Sequence, residues 1–208
     1  MENTLEVYQR PYDARFPQIC MDEGSKQLLA DTREPLSLEK GKPKREDYEY
    51  ERKGVCSVFV ASEPLAGKRI VKVTERRTKK DWARFMREVI DVHYPDAEKL
   101  ILVMDNLNTH VLSSFYEAFP APEARRLTQK LEIHYTPKHG SWLNMAEIEL
   151  SILARQCLSD RMPSLQLIQE QVLAWQEQRN RKAVQINWRF TTTEARIKLK
   201  RLYPSIEE

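Results

Sequence analysis

The sequence predicts an α/β fold: a mixed five-stranded sheet flanked by helices, with a helical C-terminal extension. Three observations predict it. The run Leu100–Met104 is unbroken, apolar and of strand length, and it ends on Asp105, so it reads as a buried strand carrying a carboxylate to its C-terminal edge. Residues 139–147 read as a Gly turn opening a helix whose first turn holds Glu147, where the helix dipole favours an acid. The order of elements, strands first and then alternating helices and strands, suits one mixed sheet.

Each element has its own signal. Residues 1–15 are polar and carry Pro11, so they read as a tail or linker stump, leaving 16–208 as the domain. Residues 18–21 form a first strand that ends at Asp22-Glu23-Gly24. Residues 31–53, with Pro35, Gly41 and Pro43, read as a long connection. Residues 55–61 and 69–74 are β-rich runs on either side of the Pro64-Leu65-Ala66-Gly67 turn. Residues 78–94 are helical, because Trp82, Phe85, Met86, Val89 and Ile90 recur at three- and four-residue spacing before Pro95. After the Asp105 strand come a helical region broken by Pro120 and Pro122, and a short strand, Leu131–Tyr135. The rest is helical. Leu165, Ile168, Val172 and Trp175 make a stripe on a helix that ends near Asn180, and Thr191 with Glu194 forms a capping box for a last helix carrying Arg196, Lys198, Lys200 and Arg201. This succession is the one expected of an RNase H-like fold. Its first and fourth strands lie side by side, which would bring Asp22 to Asp105, and the helix after the fifth strand would add Glu147.

Composition narrows the function classes. A chain of 208 residues with 41% hydrophobic and 31% charged residues suits one globular domain with a full core. It shows neither a secretory leader pattern nor an apolar run of membrane length, which predicts a soluble, intracellular protein with no membrane partner. The three cysteines, Cys20, Cys56 and Cys157, are widely spaced in apolar segments and read as reduced core thiols, not as disulfides or zinc ligands. A net charge of +3 is too small for a polycation, so any nucleic-acid contact must be a local patch.

Three carboxylates gathered from two strands and a helix suit divalent-metal phosphoryl transfer. Mg²⁺ prefers hard oxygen ligands, and two ions about 4 Å apart can activate an attacking oxygen and stabilise the leaving one without a protein nucleophile. Asp105 or Asp22 suits the bridging position, and Glu147 the second ion. Without metal, the three acids should raise one another's pKa. Taken singly, each has a blander role: Asp22 as a turn residue, Glu147 as a helix N-terminal charge. Glu149 competes with Glu147, and two positions along a helix rotate a side chain by about 200°, so only one of them can face the site.

Cys20-Met21-Asp22-Glu23, Met104-Asp105-Asn106 with His110, and Tyr135-Thr136-Pro137 running into Ser141-Trp142-Leu143-Asn144-Met145-Ala146-Glu147 resemble the DDE catalytic core of mariner-type transposases, in their bacterial insertion-sequence branch. The resemblance runs from about Val7 onward. It implies that Asp22, Asp105 and Glu147 are the catalytic, metal-binding triad, selecting Glu147 over Glu149 because an Asn stands three residues before it. It further implies two Mg²⁺ or Mn²⁺ ions, DNA cleavage and strand transfer, transposon ends and target DNA as partners, and a bacterial, nucleoid-associated location. Two departures stand out. The spacing from Asp105 to Glu147 is long for the family, a surplus assigned here to a loop at 120–130. No segment before Asp22 is long enough for a helix-turn-helix, so the chain resembles a catalytic domain alone, working as a homodimer or with a separate DNA-binding chain. A different RNase H-like nuclease, or a non-catalytic remnant that binds DNA or a full-length partner, is the alternative.

The remaining candidates are DNA contacts. Asn106 and His110 either orient the Asp105 loop, touch phosphate or make structural hydrogen bonds. His134 reads as structural. Lys138 is the best single phosphate contact, and His139 on the same loop is a further candidate. The basic runs 76–80 (Arg76, Arg77, Lys79, Lys80) and 40–45 read either as solvated loops or as sequence-blind phosphate contacts. Trp142 reads as packing on the sheet or stacking on a base. The stripe of Leu165, Ile168, Val172 and Trp175 packs on its own domain or against a partner.

Overall fold

In the computed structural model, which describes residues 1–33, 40–41, 47–138 and 140–203, the chain runs α1 (Glu2–Tyr8), β1 (Gln18–Asp31), β2 (Tyr50–Glu63), β3 (Lys68–Thr74) and α2 (Lys79–Glu88, extended by a π-helical turn Val89–His93). It continues with β4 (Leu100–Met104), α3 (Ser113–Ala118), α4 (Ala121–Gln129), β5 (Leu131–Tyr135), α5 (Ala146–Gln156), α6 (Leu165–Lys182) and α7 (Thr192–Lys198). The five strands form one sheet in the order β3-β2-β1-β4-β5. β1 pairs antiparallel with β2 and β2 with β3, whereas β4 is parallel to both β1 and β5. This is the mixed, helix-flanked, RNase H-like sheet the sequence predicts.

The sheet is covered on both faces, which explains why all five residues of β4 are apolar and buried. On one face Ile19, Met21, Phe59, Leu102 and Met104 pack against Trp82, Phe85 and Met86 of α2 and Phe115 of α3. On the other, Val58, Val60, Val71 and Val73 meet Leu153 of α5 and Ile168, Val172 and Trp175 of α6. Thr78 starts α2 with the reciprocal bonds of a capping box: its hydroxyl accepts the Asp81 amide, and Asp81 accepts the Thr78 amide. The Thr191–Glu194 box does the same for α7.

Four expectations are corrected. β1 does not stop at Asp22 but pairs on to Asp31 opposite Tyr50, so Asp22 lies inside a strand whose burial lapses just beyond it. The polar run at residues 23–27 masks the strand, and beyond it Leu28 packs against the core. The connection after β1 is correspondingly shorter than 31–53, since β2 begins at Tyr50; residues 34–39 and 42–46 lie outside the described residues. The expected N-terminal tail is instead a packed helix, α1, which buries Leu5, Val7 and Tyr8; the Tyr8 hydroxyl donates to the Leu143 carbonyl at 2.6 Å. The expected loop at 120–130 is α4, in which Pro120 and Pro122 occupy the start of the helix, where a missing N–H costs nothing, and Ala124 and Leu127 are buried. Of the two roles open to the α6 stripe, packing on its own domain is the one observed: Ile168, Val172 and Trp175 are buried on the sheet.

Candidate active site

Parallel pairing sets the level of the first two acids. Cys20 lies beside Val103 in the register of β1 and β4, so two residues further on Asp22 and Asp105 leave the pair at the same height. Asp22 is buried, its Oδ1 accepting the Glu23 amide at 2.8 Å and its Oδ2 the Asn144 side-chain amide at 3.3 Å. Asn144 also donates to the Met21 carbonyl at 2.8 Å and accepts the Ala146 amide at 3.1 Å. One side chain thus ties the start of α5 to β1. It is a physical reason for an Asn three residues before Glu147, which stands exposed in the first turn of α5.

Asp105 follows the last residue of β4, and its Oδ1 lies 2.6 Å from His110 Nδ1. His110 is fully buried, and its Nε2 sits 2.8 Å from Glu23 Oε2, an ion-pair distance without the alignment of a hydrogen bond. Burial alone would lower the imidazole pKa, but the two carboxylates outweigh it and push it up to about 9. Asp22 is pushed up to about 7, first by burial and then by the fields of Glu147, Asp105 and Glu23, with the Glu23 amide opposing. Asp22 therefore senses the other two candidate acids.

Glu149 is excluded from this cluster. It is 0% exposed and accepts from Arg69 at 2.6 Å and from Arg179 at 3.2 Å, on the far side of α5 from Glu147. Of the other candidates, Asn106 is exposed beside Asp105, and Lys138 is exposed ahead of the turn Ser141–Leu143; His139 lies outside the described residues. Arg77 reaches within 3.7 Å of Glu23 Oε1 at the site, whereas Lys79 pairs with Glu117 at 2.7 Å. Arg76 and Lys80 are exposed. Of the second basic run, Lys40 and Gly41 are described and residues 42–45 are not. His134 is held by Asn3 and Glu132, a structural arrangement. Trp142 is half-exposed and lies against Phe190, not on the sheet.

Sequence reasoning passed over Glu23, Asn144's double attachment and the Arg69–Glu149–Arg179 cluster. Only Glu23 had a local signal, its place next to Asp22. As they stand, no three acids, histidines or cysteines among the described residues are close enough to hold an ion. The donor chemistry nevertheless fits one: hard carboxylate oxygens, with a buried Asp22 whose raised proton affinity a divalent cation would relieve.

A mixed sheet with acids collected at the level of β1 and β4 and on the helix after β5 defines the class. Residues 17–168 match the family model of the DDE superfamily endonuclease, and the chain belongs to that family. Among solved structures it is similar to the Mos1 transposase paired-end complex with the left transposon end, at TM-score 0.53 and 14% identity over 88% of this chain and 60% of that one. It is also similar to the Mos1 strand transfer complex, at TM-score 0.55 and 13% identity over 88% and 59%, and to the mariner Mos1 paired end complex with Mg, at 0.52 and 16% over 88% and 60%. The chain thus spans about 60% of the length of the transposase it matches. No curated protein matches the sequence. No helix among the described residues is long and apolar enough to cross a membrane.

Proposed function

We propose that this chain is the catalytic domain of a mariner-like transposase of the bacterial insertion-sequence branch, cutting and joining DNA strands by metal-dependent phosphoryl transfer. The single observation behind the reading is the placement of Asp22 level with Asp105, with Glu147 close enough to raise Asp22's proton affinity. Asp22, Asp105 and Glu147 would hold two Mg²⁺ or Mn²⁺ ions, which when bound activate the attacking oxygen and neutralise the leaving one. Asn144 fixes the Asp22 carboxylate and His110 that of Asp105. Moving an element joins two ends, so a second copy or a separate DNA-binding chain completes the assembly; the similarity to paired-end complexes supports this. The test is nicking of supercoiled DNA with Mn²⁺. Asp22→Ala and Asp105→Ala should each abolish it while the circular-dichroism spectrum stays native; nicking that persists in both variants overturns the reading.

DNA affinity should be sequence-tolerant and steeply salt-dependent, because phosphate contacts carry no base information. Contacts by Arg77, Lys80 and Lys138 predict a slope of log affinity against log salt of about −3, and Lys138→Ala should flatten it by about one unit. Titration of a labelled duplex at several salt concentrations checks this, with an unchanged slope removing Lys138 from the interface.

A further inference from the structure

Glu23 and His110 stand behind Asp105, where neither can reach a substrate. His110 is fully buried, and the Glu23 side chain is 3% exposed. The ring is closely held: it lies 5.8 Å from the Trp82 ring, the His110 amide donates to the Leu107 carbonyl at 2.9 Å, and the His110 carbonyl accepts the Tyr135 hydroxyl at 2.9 Å. Nδ1 faces Asp105 Oδ1 at 2.6 Å and Nε2 faces Glu23 Oε2 at 2.8 Å. Burying a histidine between two carboxylates is costly compared with an apolar filling of the same volume, so the fold gains little from it. What it does achieve is orientation. Asp105 is the first residue beyond β4, with no strand pairing to hold its side chain, and His110 fixes one oxygen while Oδ2 makes no hydrogen bond among the described residues.

We infer that Glu23 and His110 form a positioning relay, in which Glu23 holds the imidazole and the imidazole aims Asp105 Oδ2 into the site. This rests on the reading of Asp105 as a metal ligand, and carries to it the rule that groups behind a ligand set the ligand's orientation and affinity. Both contacts together need a proton on each ring nitrogen, because a bare Nε2 lone pair would face the Glu23 carboxylate.

Calorimetric titration of the full chain with Mn²⁺, together with thermal unfolding of each variant, tests the relay. Asp105→Asn should lose binding. His110→Leu should weaken it by about 10–100-fold, and His110→Asn, whose amide nitrogen takes the place of Nδ1, should recover most of that loss. Glu23→Ala should weaken binding by less than Asp105→Asn does, and it carries the test if His110→Leu does not fold. Loss in Asp105→Asn with wild-type affinity in His110→Leu and Glu23→Ala would overturn the relay alone. So would a His110→Asn variant no better than His110→Leu, and so would complete loss in Glu23→Ala, which would make Glu23 a ligand. Equal binding by the wild type and Asp105→Asn would overturn the metal reading, and the relay with it.

Discussion

Glu149→Ala should lower the free energy of unfolding by about 3–5 kcal/mol, the cost of leaving buried charge without its partner, whereas Glu147→Ala should leave stability near wild type and abolish cleavage. The two acids share a helix and differ in what they face. Glu149 is buried against Arg69, itself 1% exposed, and against Arg179. Arg69 in turn donates to the Gly67 and Val184 carbonyls, joining the β2–β3 turn to the end of α6. Gly67 permits this approach: its φ is +67°, and a Cβ there would lie 2.4 Å from the Ala183 carbonyl. Taking away the carboxylate strands two guanidinium groups at this junction. Urea denaturation and DNA nicking on both variants check the pair of outcomes. A stable, inactive Glu149→Ala alongside an active Glu147→Ala would show that α5 presents the other acid to the site.

The sequence could say that only one of these acids faces the site, because their separation on a helix is a local fact. It could not say what holds the other, since Arg69 comes from β3 and Arg179 from α6, and pairing between distant segments leaves no periodicity. The same division runs through the fold. β4 is legible because double burial demands an unbroken apolar run, and α2 because its apolar positions keep helical spacing. The outer half of β1 is not, because Glu23, Gly24, Ser25, Lys26 and Gln27 interrupt the apolar pattern before Leu28 reaches the core. The stripe on α6 was ambiguous for a different reason: its spacing states that one face is buried but not against what. Val71 and Val73 of β3 provide the answer. At the site, Asp22, Asp105 and Glu147 follow from strand order and motif, whereas the Glu23–His110 contact needs the β1–β4 pairing before it can be seen.

The metal-free protein should lose stability as pH rises, relative to Asp22→Asn, by up to about 4 kcal/mol between about pH 4 and pH 7. The sign follows from Asp22, whose pKa rises from 3.8 to about 7 on folding. The folded state binds this proton more tightly, so the contribution is complete below the unfolded value and is lost as pH passes the folded one. His110 has the same sign in the next window, from 6.5 up to about 9, where losing its proton weakens its pairing with Asp105 and Glu23. A divalent cation should act in the opposite sense. It binds the ionised Asp22 of the folded protein, adding about 2.7 kcal/mol at a hundred times its Kd, so Mn²⁺ should raise the unfolding temperature more at about pH 8 than at about pH 5. Asp22→Asn should show little of either effect, because its amide neither titrates nor repels Glu147 and Asp105. Thermal unfolding of both proteins across this range, with EDTA and with Mn²⁺, measures the difference directly. A wild-type minus Asp22→Asn difference that stays flat with pH would mean that Asp22 is ionised without metal at no cost.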